Sequence, residues 1–325
     1  MSAFIKKHLL FIITFSVALR VTAQQDPQFS QYFLNPYLYN PAYGGLDKAL
    51  SLTAHVRAQW VGIDGNPFSQ NVSAQSPVDL LHGGMGLQVI NEQAGALRMT
   101  STSLSYNFIQ KSRIGYFSFG ASGGIIQAAV DGSKLRAPDG DYINTIDHND
   151  PILSSGTMSG VAPDASAGFF FSSSKFNIGL SADHLIPVSI QMTGNSADLN
   201  LELSPQYYLQ ASYMAKLNKT VALRPSLQLK SNGSNLQGEG DLIISFKNFF
   251  WIGGGYRGYD QYTQDAVIGL AGININENLL VSYSYDFPMS ALQSVSQGSH
   301  EVMINYRMNL VKPAKPGKAI FNPRF

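Results

Sequence analysis

The sequence has 325 residues and a formal net charge of +1, and its 13% of charged residues is about half the usual share. It contains no cysteine, which excludes disulfides, thiolate metal sites and attachment of a lipid to a cysteine. The near-neutral charge gives no reason to expect a nucleic acid partner.

The first 23 residues have the features of a secretory signal peptide. Lys6 and Lys7 provide a positive start, residues 9–19 are mostly apolar, and Val21-Thr22-Ala23 is a small-residue cleavage site. We expect cleavage after Ala23 and therefore export of the mature chain. No later stretch approaches about 18 consecutive apolar residues, which excludes membrane-spanning helices.

Residues 24–49 form a lead-in segment that is rich in proline and aromatic residues. Pro27, Pro36 and Pro41 prevent a continuous helix. The aromatic side chains need something to pack against, and two interpretations remain open: a plug within the protein's own fold, or a contact with a partner protein. The residues predicted to bind a partner are Phe29, Tyr32, Phe33, Asn35, Pro36, Asn40 and Pro41.

Residues 50–308 are built from strands with one apolar and one polar face. In 50–60, LSLTAHVRAQW, apolar and polar side chains alternate without a break, and eleven residues match the roughly 9–11 of a tilted membrane-spanning strand. Fourteen segments are predicted as strands: 50–60, 68–76, 84–90, 97–109, 115–130, 164–172, 176–185, 205–215, 221–230, 239–246, 249–257, 265–273, 279–287 and 299–308.

The spacers between these segments alternate between two classes. Those after even-numbered strands are short, whereas those after odd-numbered strands are usually longer, and 131–163 is the longest. Short turns on one side and long loops on the other are typical of outer-membrane barrels. The sequence therefore predicts an all-β fold, a transmembrane antiparallel up-and-down β-barrel of about 14 strands with both termini periplasmic.

The last segment, 309–325, is a basic tail with four cationic residues, Lys312, Lys315, Lys318 and Arg324, and no acidic residue. We expect it to extend into the periplasm. It is either a docking peptide for other proteins or an inert tail.

Five sequence blocks are spread along the mature chain: QDPQFSQYFLNPYLYNPAYGG at 25–45, RAQWVGIDGNPFSQ at 57–70, PDASAGFFFSSSKFNIGLSADHL at 163–185, YSYDFP at 283–288 and GSHEVMINY at 298–306. In these blocks the sequence resembles the PorP/SprF family of outer-membrane proteins of type IX secretion and gliding.

The resemblance implies an outer-membrane barrel that assists export or surface anchoring of a large adhesin-type substrate. The implied partners are the secretion substrate or the C-terminal region of an adhesin, periplasmic secretion-ring components and outer-membrane lipids. The alternative function is a passive porin for small solutes.

Charged residues on the polar faces of the strands are candidates for the barrel interior. The predicted lumen-facing residues are Arg57, Arg98, Arg224, Arg257, Asp286, Glu301 and Arg307. They either line a polar lumen that guides a peptide or form internal ion pairs that stiffen the wall.

Two glycine-containing motifs invite an enzymatic interpretation, which their surroundings do not favour. Gly253, Gly255 and Gly258 match G-x-G-x-x-G, and residues 120–124 match G-x-S-x-G, but both lie inside predicted strands with no helix after them. The aspartates of the loop 131–163 fit no standard calcium-loop spacing. We expect no catalytic residues, no metal and no cofactor.

Overall fold

The fold is a closed β-barrel, seen in a computed structural model of the chain. The structure describes residues 26–142, 146–150, 153, 155–186, 188–194, 198–247, 249–258 and 264–310. In this part of the chain, fourteen antiparallel barrel strands close into one sheet, which confirms the predicted fold class and strand count. The predicted signal peptide and all but two residues of the predicted tail lie outside the described residues.

The strands are β1 (Ala49–Ala58), β2 (Phe68–Val78), β3 (Gly83–Ala94), β4 (Leu97–Lys111), β5 (Tyr116–Asp131), β6 (Thr157–Ser172), β7 (Phe176–Asp183), β8 (Val188–Thr193), β9 (Asp198–Leu203), β10 (Gln206–Tyr213), β11 (Ala215–Lys216), β12 (Val221–Ser231), β13 (Leu236–Phe246), β14 (Phe250–Gly258), β15 (Gln264–Asn274), β16 (Leu279–Pro288) and β17 (Ser299–Asn309). Short 3₁₀ helices lie at Pro36–Leu38, Pro41–Tyr43, Asp79–Leu81, Gly132–Lys134 and Ala291–Ser294. Among the described residues, no helix is long and apolar enough to cross a membrane.

The first and last strands close the barrel. β1 pairs with β17 from Ala49 opposite Asn309 to Ala58 opposite His300. β7 pairs directly with β10, and β10 and the two-residue β11 both pair with β12, so that they count as one barrel strand. The hairpin of β8 and β9 stands apart from the fourteen.

β1 shows how the alternation separates two environments. Leu52 and Val56 face outward and are 44% and 39% exposed, whereas His55 and Arg57 face inward and are 1% and 0% exposed. Apolar side chains on the outside and polar ones inside suit a barrel surrounded by lipid. The strand ends two residues earlier than predicted, and Trp60 follows with a left-handed φ of 53°.

The two ends of the barrel differ in their connections. Six connections, from 79–82 to 275–278 along the chain, are short, and we call their end the turn end and the opposite end the loop end. The predicted sorting of connections is found with two exceptions. The loop-end connections 95–96 and 232–235 are also short, because β3 and β13 are longer than predicted.

The long predicted spacers 131–163 and 186–204 contain strands that the sequence analysis missed. β6 begins at Thr157, whereas its predicted start is at 164. The prediction missed its first residues because proline is uncommon inside a strand, yet Pro163 is paired opposite Ile125 within this one. The hairpin β8–β9 has six residues in each strand, too few for a membrane span. It packs against inward-facing residues of β5 and β6 in a buried apolar cluster, so it occupies the β5–β6 side of the interior at the loop end.

Residues 26–48, here called the plug, lie inside the barrel and run along its length. Asp26 contacts His184, which directly follows β7 at the loop end, whereas Ala49 starts β1 at the turn end. The segment just before the first strand therefore occupies the interior from one end to the other.

Candidate functional site: a plugged lumen

The path of the plug is set by prolines and asparagines. Pro36 and Pro41 each begin a 3₁₀ helix. Asn40, before the second proline, is extended with φ −142° and ψ 108°, as expected at that position. Its Oδ1 accepts a hydrogen bond from the backbone N–H of Ala42 at 2.9 Å and caps the turn. These local preferences give the plug a compact, kinked path rather than a helix.

A network of ion pairs crosses the interior near the loop end. Arg57 Nη2 lies 2.6 Å from Asp286 Oδ2, and Arg57 Nη1 lies 3.2 Å from Glu301 Oε2. Arg257 contacts the same Asp286 carboxylate, and its Nη1 lies 2.9 Å from Glu239 Oε2. All five side chains are buried. Removing one member of such a buried set costs about 3–5 kcal/mol, because the remaining charge is left without a partner.

Ser30 connects the plug to this network. Its Oγ donates to Asp286 Oδ1 at 3.0 Å and accepts from Arg57 Nη1 and Arg257 Nη1, both at 3.0 Å. Its backbone N–H donates to Glu301 Oε2 at 2.7 Å, and the N–H of Gln31 donates to Oε1 of the same carboxylate at 3.2 Å. Hydrogen bonds to charged groups are roughly twice as strong as neutral ones, so this network holds the plug backbone in place.

Asp26, the first residue of the plug, is held by a second charged cluster. Asp26 Oδ1 lies 2.9 Å from His184 Nε2, and His184 Nδ1 lies 3.1 Å from Asp164 Oδ1. Tyr208 donates its hydroxyl to Asp26 Oδ2 at 2.6 Å, and Lys230 Nζ donates to the Asp26 carbonyl at 2.8 Å. The plug is therefore fixed at the level where β7, β10 and β12 reach the loop end.

The pKa values of Asp26 and His184 keep both side chains charged. Burial alone raises the pKa of the Asp26 carboxyl, but the charge of His184 and the hydrogen bonds that Asp26 accepts outweigh burial and bring this pKa well below its usual range. Burial alone lowers the pKa of His184, but Asp26 and Asp164 raise it to about 11. At neutral pH the contact is an ion pair.

Aromatic side chains of the plug pack against the wall. The Phe29 ring stacks on His55 with centroids 5.2 Å apart, and Phe33 meets Trp251 edge-on at 5.7 Å. Burial of each apolar ring contributes about 1.5–3 kcal/mol. The hydroxyl of Tyr37 lies 2.8 Å from another side-chain hydroxyl of the wall, and burial raises the pKa of Tyr37 to about 12, so the phenol stays neutral.

Close approach of the plug to the wall depends on glycines in β5 and β6. A Cβ at Gly120 would lie 2.6 Å from Ala42 Cα, inside the van der Waals distance. At Gly168 a Cβ would overlap the side chain of Asn40, whose Nδ2 donates to the carbonyls of Phe169 and Leu180 at 3.0 and 3.1 Å. The wall is therefore shaped to receive the turn-end half of the plug.

A cavity of about 90 Å³ remains between the plug and the inner faces of β3–β6. Serines form part of its wall, namely Ser101, Ser103, Ser105, Ser122 and Ser166, and they lie beside apolar side chains such as Ile90, Met99 and Ile126. This volume exceeds the about 10–15 Å³ that a cavity needs to hold one water molecule. The plug thus leaves a narrow slot beside it.

The seven residues predicted to bind a partner belong to the plug and are packed inside the barrel. Six of them are buried and one is half-buried: Phe29, Tyr32, Phe33, Asn35, Asn40 and Pro41, and the half-buried Pro36. In this conformation they contact the protein's own barrel, which favours the plug interpretation. A partner protein could reach these side chains only after the plug left the barrel.

Six of the seven predicted lumen-facing residues lie on inward-facing positions. Arg57, Arg257, Asp286 and Glu301 belong to the ion-pair network described above. Arg224 lies with its guanidinium carbon 6.0 Å from the Phe33 ring centroid. Arg307 is at the turn end, where its Nε lies 3.6 Å from Asp47 Oδ2. The network consists of internal ion pairs, the second interpretation of these charges.

Arg98 lies on the opposite face from the one predicted. It shares the outward parity of Leu104 on β4, and its Nε donates to Asn91 Oδ1 at 2.8 Å. The reason is the length of β4, whose 15 residues exceed the roughly 9–11 of a membrane span. The loop end of the strand extends past the apolar band, so an outward-facing arginine there meets water.

Sequence reasoning missed several members of the two charged clusters. Asp26, Ser30, Gln31 and His184 make the contacts between plug and wall, whereas Glu239 and Asp265 are partners of Arg257. Glu239 shares its parity with the neighbouring Asp241 on β13, so the alternation could have found it. Ser30 and Gln31 carry no such signal, because the plug has no periodic pattern.

The structure also shows the surroundings of the two glycine motifs. β14 continues as a strand through Gly253 and Gly255 to Gly258, and β5 continues through 120–124. Neither motif makes the strand–turn–helix that its enzyme class requires. In the described ranges, no group of three or more His, Asp or Glu side chains is placed to hold a metal ion.

Comparison with known proteins gives a family and a fold. A family model described as type IX secretion system membrane protein PorP/SprF matches residues 21–306. Among solved structures, the chain is similar to the toluene transporter TodX of P. putida, with a TM-score of 0.51, 10% identity and coverage of 86% of this chain and 95% of that chain. No curated protein matches the chain in sequence.

Two further solved structures are similar. For the toluene transporter TbuX of Ralstonia pickettii, the TM-score is 0.49, the identity 13% and the coverage 84% of this chain and 92% of that chain. For the outer membrane protein Omp33 of Acinetobacter baumannii, the TM-score is 0.46 and the identity 7%, with coverage of 81% of this chain and 100% of that chain. At such identities a structural likeness concerns the fold alone.

Proposed function

The chain belongs to the PorP/SprF family of type IX secretion system membrane proteins, and we propose that it assists export or surface anchoring of a large adhesin-type protein by binding it. The barrel fold and the family support an outer-membrane location. Adhesins displayed in this way would serve attachment and gliding motility.

The occupied lumen is the observation that carries this proposal. The plug fills the interior from the loop end to the turn end, and Ser30 and Gln31 attach it to buried charges. A pore for small solutes needs a continuous aqueous path. A barrel filled by its own segment is better suited to binding a protein at its ends than to passing solutes, which favours the secretion role over the porin alternative.

We place the turn end in the periplasm, because outer-membrane barrels have short periplasmic turns and longer extracellular loops. Periplasmic secretion-ring components would then meet the turn end, and the exported substrate would meet the loop end. Removal of the signal peptide after Ala23 would precede insertion of the barrel.

The protein would act by binding and not by catalysis. Ser122, the serine of the G-x-S-x-G match, lines the cavity on a continuous strand, with Ser105 opposite it on β4. No described His, Asp or Glu is hydrogen-bonded to Ser122 as a general base would be.

Affinity purification combined with deletion tests the proposal. The tagged full-length chain is purified in mild detergent from its own host, and the surface proteome of a deletion strain is compared with that of the parent. We expect one large exported protein to co-purify with the barrel and the same protein to be lost from the surface of the deletion strain.

A strain that expresses the protein with residues 24–45 removed separates the roles of barrel and plug. Normal surface display with this variant would show that the plug is not needed for substrate binding. A deletion strain with an unchanged surface proteome would contradict the proposed function itself.

A further inference from the structure

The turn end carries basic side chains on four adjacent turns. They are the connections β4–β5, β6–β7, β11–β12 and β13–β14, which follow one another around the barrel. The basic residues are Lys111, Arg113, Lys175, Lys216, Lys219 and Lys247, all of them exposed, and we call this set the basic arc. No acidic residue lies in the sequence of these four turns. A chain of net charge +1 thus concentrates positive charge at one place.

Each of these turns also exposes a large apolar side chain. Ile114 and Leu217 are 69% and 63% exposed, and Phe249 is 54% exposed. Phe176, the first residue of β7, is exposed beside Lys175. Apolar tips that point into water are unfavourable unless they meet an apolar phase. Their combination with lysine and arginine is typical of protein segments at a membrane interface.

The apolar tips continue the lipid-facing surface of the barrel. On the strands that lead into the arc, outward-facing aromatic residues lie within a few residues of the turns, among them Phe108, Phe119, Tyr213 and Phe250. Aromatic girdles mark the level of the lipid headgroups. The basic arc lies directly beyond these aromatic residues, at the level where headgroup phosphates would surround a barrel in a membrane.

We propose that the basic arc is a binding surface for anionic phospholipid headgroups of the leaflet that surrounds the turn end. The two remaining turns, 79–82 and 275–278, carry Asp79 and Glu277 and no lysine or arginine. Anionic lipid would therefore collect on the side of β4 to β14. The proposal does not depend on the secretion role, because it concerns the protein and lipid alone.

Lipid counting on the purified full-length protein tests this surface. The protein in non-ionic detergent is titrated with phosphatidylglycerol or phosphatidylcholine, and bound lipids are counted by native mass spectrometry. Since attraction to an anionic surface grows with each basic residue, we expect at least about a fivefold preference for phosphatidylglycerol. Raising the salt concentration should reduce this preference, because exposed charges are screened.

Three variants locate the effect. The six-fold variant K111Q/R113Q/K175Q/K216Q/K219Q/K247Q should lose the preference. The charge-conserving variant K111R/R113K/K175R/K216R/K219R/K247R should keep it. The loop-end variant K134Q/R136Q should also keep it.

Equal binding of both lipids by the wild-type protein would contradict the proposal. The basic arc would then be a surface for an acidic face of another protein. This wild-type comparison holds even if the six-fold variant does not fold. Unchanged preference in a folded six-fold variant would equally contradict it.

Discussion

Ser30 and Glu301, 271 positions apart in the chain, are joined by a hydrogen bond of 2.7 Å from the backbone N–H of Ser30 to Glu301 Oε2. The same carboxylate accepts the N–H of Gln31 and faces Arg57 Nη1 at 3.2 Å. One side chain of the last strand thus holds both the plug and a buried cation of the first strand.

The first prediction concerns this carboxylate. Glu301→Ala removes the acceptor of two plug N–H groups and a partner of Arg57, so the plugged state should lose about 3–5 kcal/mol. Because the chain has no cysteine, an introduced Ala42→Cys reports plug release through its reaction with a bulky hydrophilic maleimide. Ala42 is fully buried in the plugged state. We expect fast labelling in the Glu301→Ala background and slow labelling in the wild-type background.

Glu277→Ala is the matched control, because it removes an exposed carboxylate at a turn. Its labelling rate should equal that of the wild-type background. Equal protection of Ala42→Cys in all three backgrounds would show that Glu301 does not hold the plug.

The second prediction uses two glycines three residues apart on β5. Gly120→Val would place side-chain atoms against the backbone of Ala42, whereas a Cβ at Gly123 meets no atom within 4 Å. Overpacking costs typically about 1–3 kcal/mol, so Gly120→Val should lower the thermal unfolding temperature of the barrel or expel the plug. Gly123→Val should leave unfolding and labelling of the plug unchanged. Identical behaviour of the two variants would contradict the described seat of the plug.

The third prediction is a dependence of plug release on pH. The pKa of His184 is about 11 in the plugged state against an ordinary 6.5, so its contact with Asp26 is fully favourable below pH 6.5 and weakens as the pH rises toward 11. The pKa of Asp26 is lowered, so its contribution is complete above its ordinary 3.8 and is lost below that value. The plug should therefore be held most firmly between about pH 4 and 6.5.

Labelling of Ala42→Cys from pH 5 to pH 9 measures this effect. An exposed Ser174→Cys reporter corrects for the intrinsic reactivity of the thiol. The corrected rate should rise above pH 7 in the wild-type background and should rise less in a His184→Gln background. A His184→Gln profile that follows the wild-type profile would remove this pair as the cause.

The fourth prediction concerns the hairpin β8–β9. Ile190 and Met192 are fully buried in the apolar cluster with β5 and β6, whereas Leu199 is 38% exposed. Ile190→Ala should destabilise the docked hairpin by about 2–5 kcal/mol and increase its cleavage by protease. Leu199→Ala should have little effect. Resistance of both variants to protease would indicate that the hairpin does not depend on this cluster.

The strands could be predicted from the sequence because the barrel wall separates two solvents. Lipid outside and a polar interior impose period-two alternation, and Leu52 and Val56 against His55 and Arg57 show it directly. The signal fails where a strand leaves the apolar band, as at Arg98, or is interrupted by proline, as at Pro163.

The contents of the interior could not be predicted in the same way. Alternation shows which side chains face inward, but it does not show what they contact. Asp26 and His184 are 158 positions apart, and Ser30 has no periodic neighbours that would mark it as a contact of Asp286. Only the aromatic and proline content of the lead-in indicated that it packs against something.

Single-channel recording in planar bilayers tests the occupied lumen most directly. The wild-type protein should show no stepwise ion conductance, and a variant that lacks residues 24–45 should conduct, because the same barrel then encloses an open path. Conductance of the wild-type protein equal to that of the shortened variant would contradict a lumen closed by its own N-terminal segment.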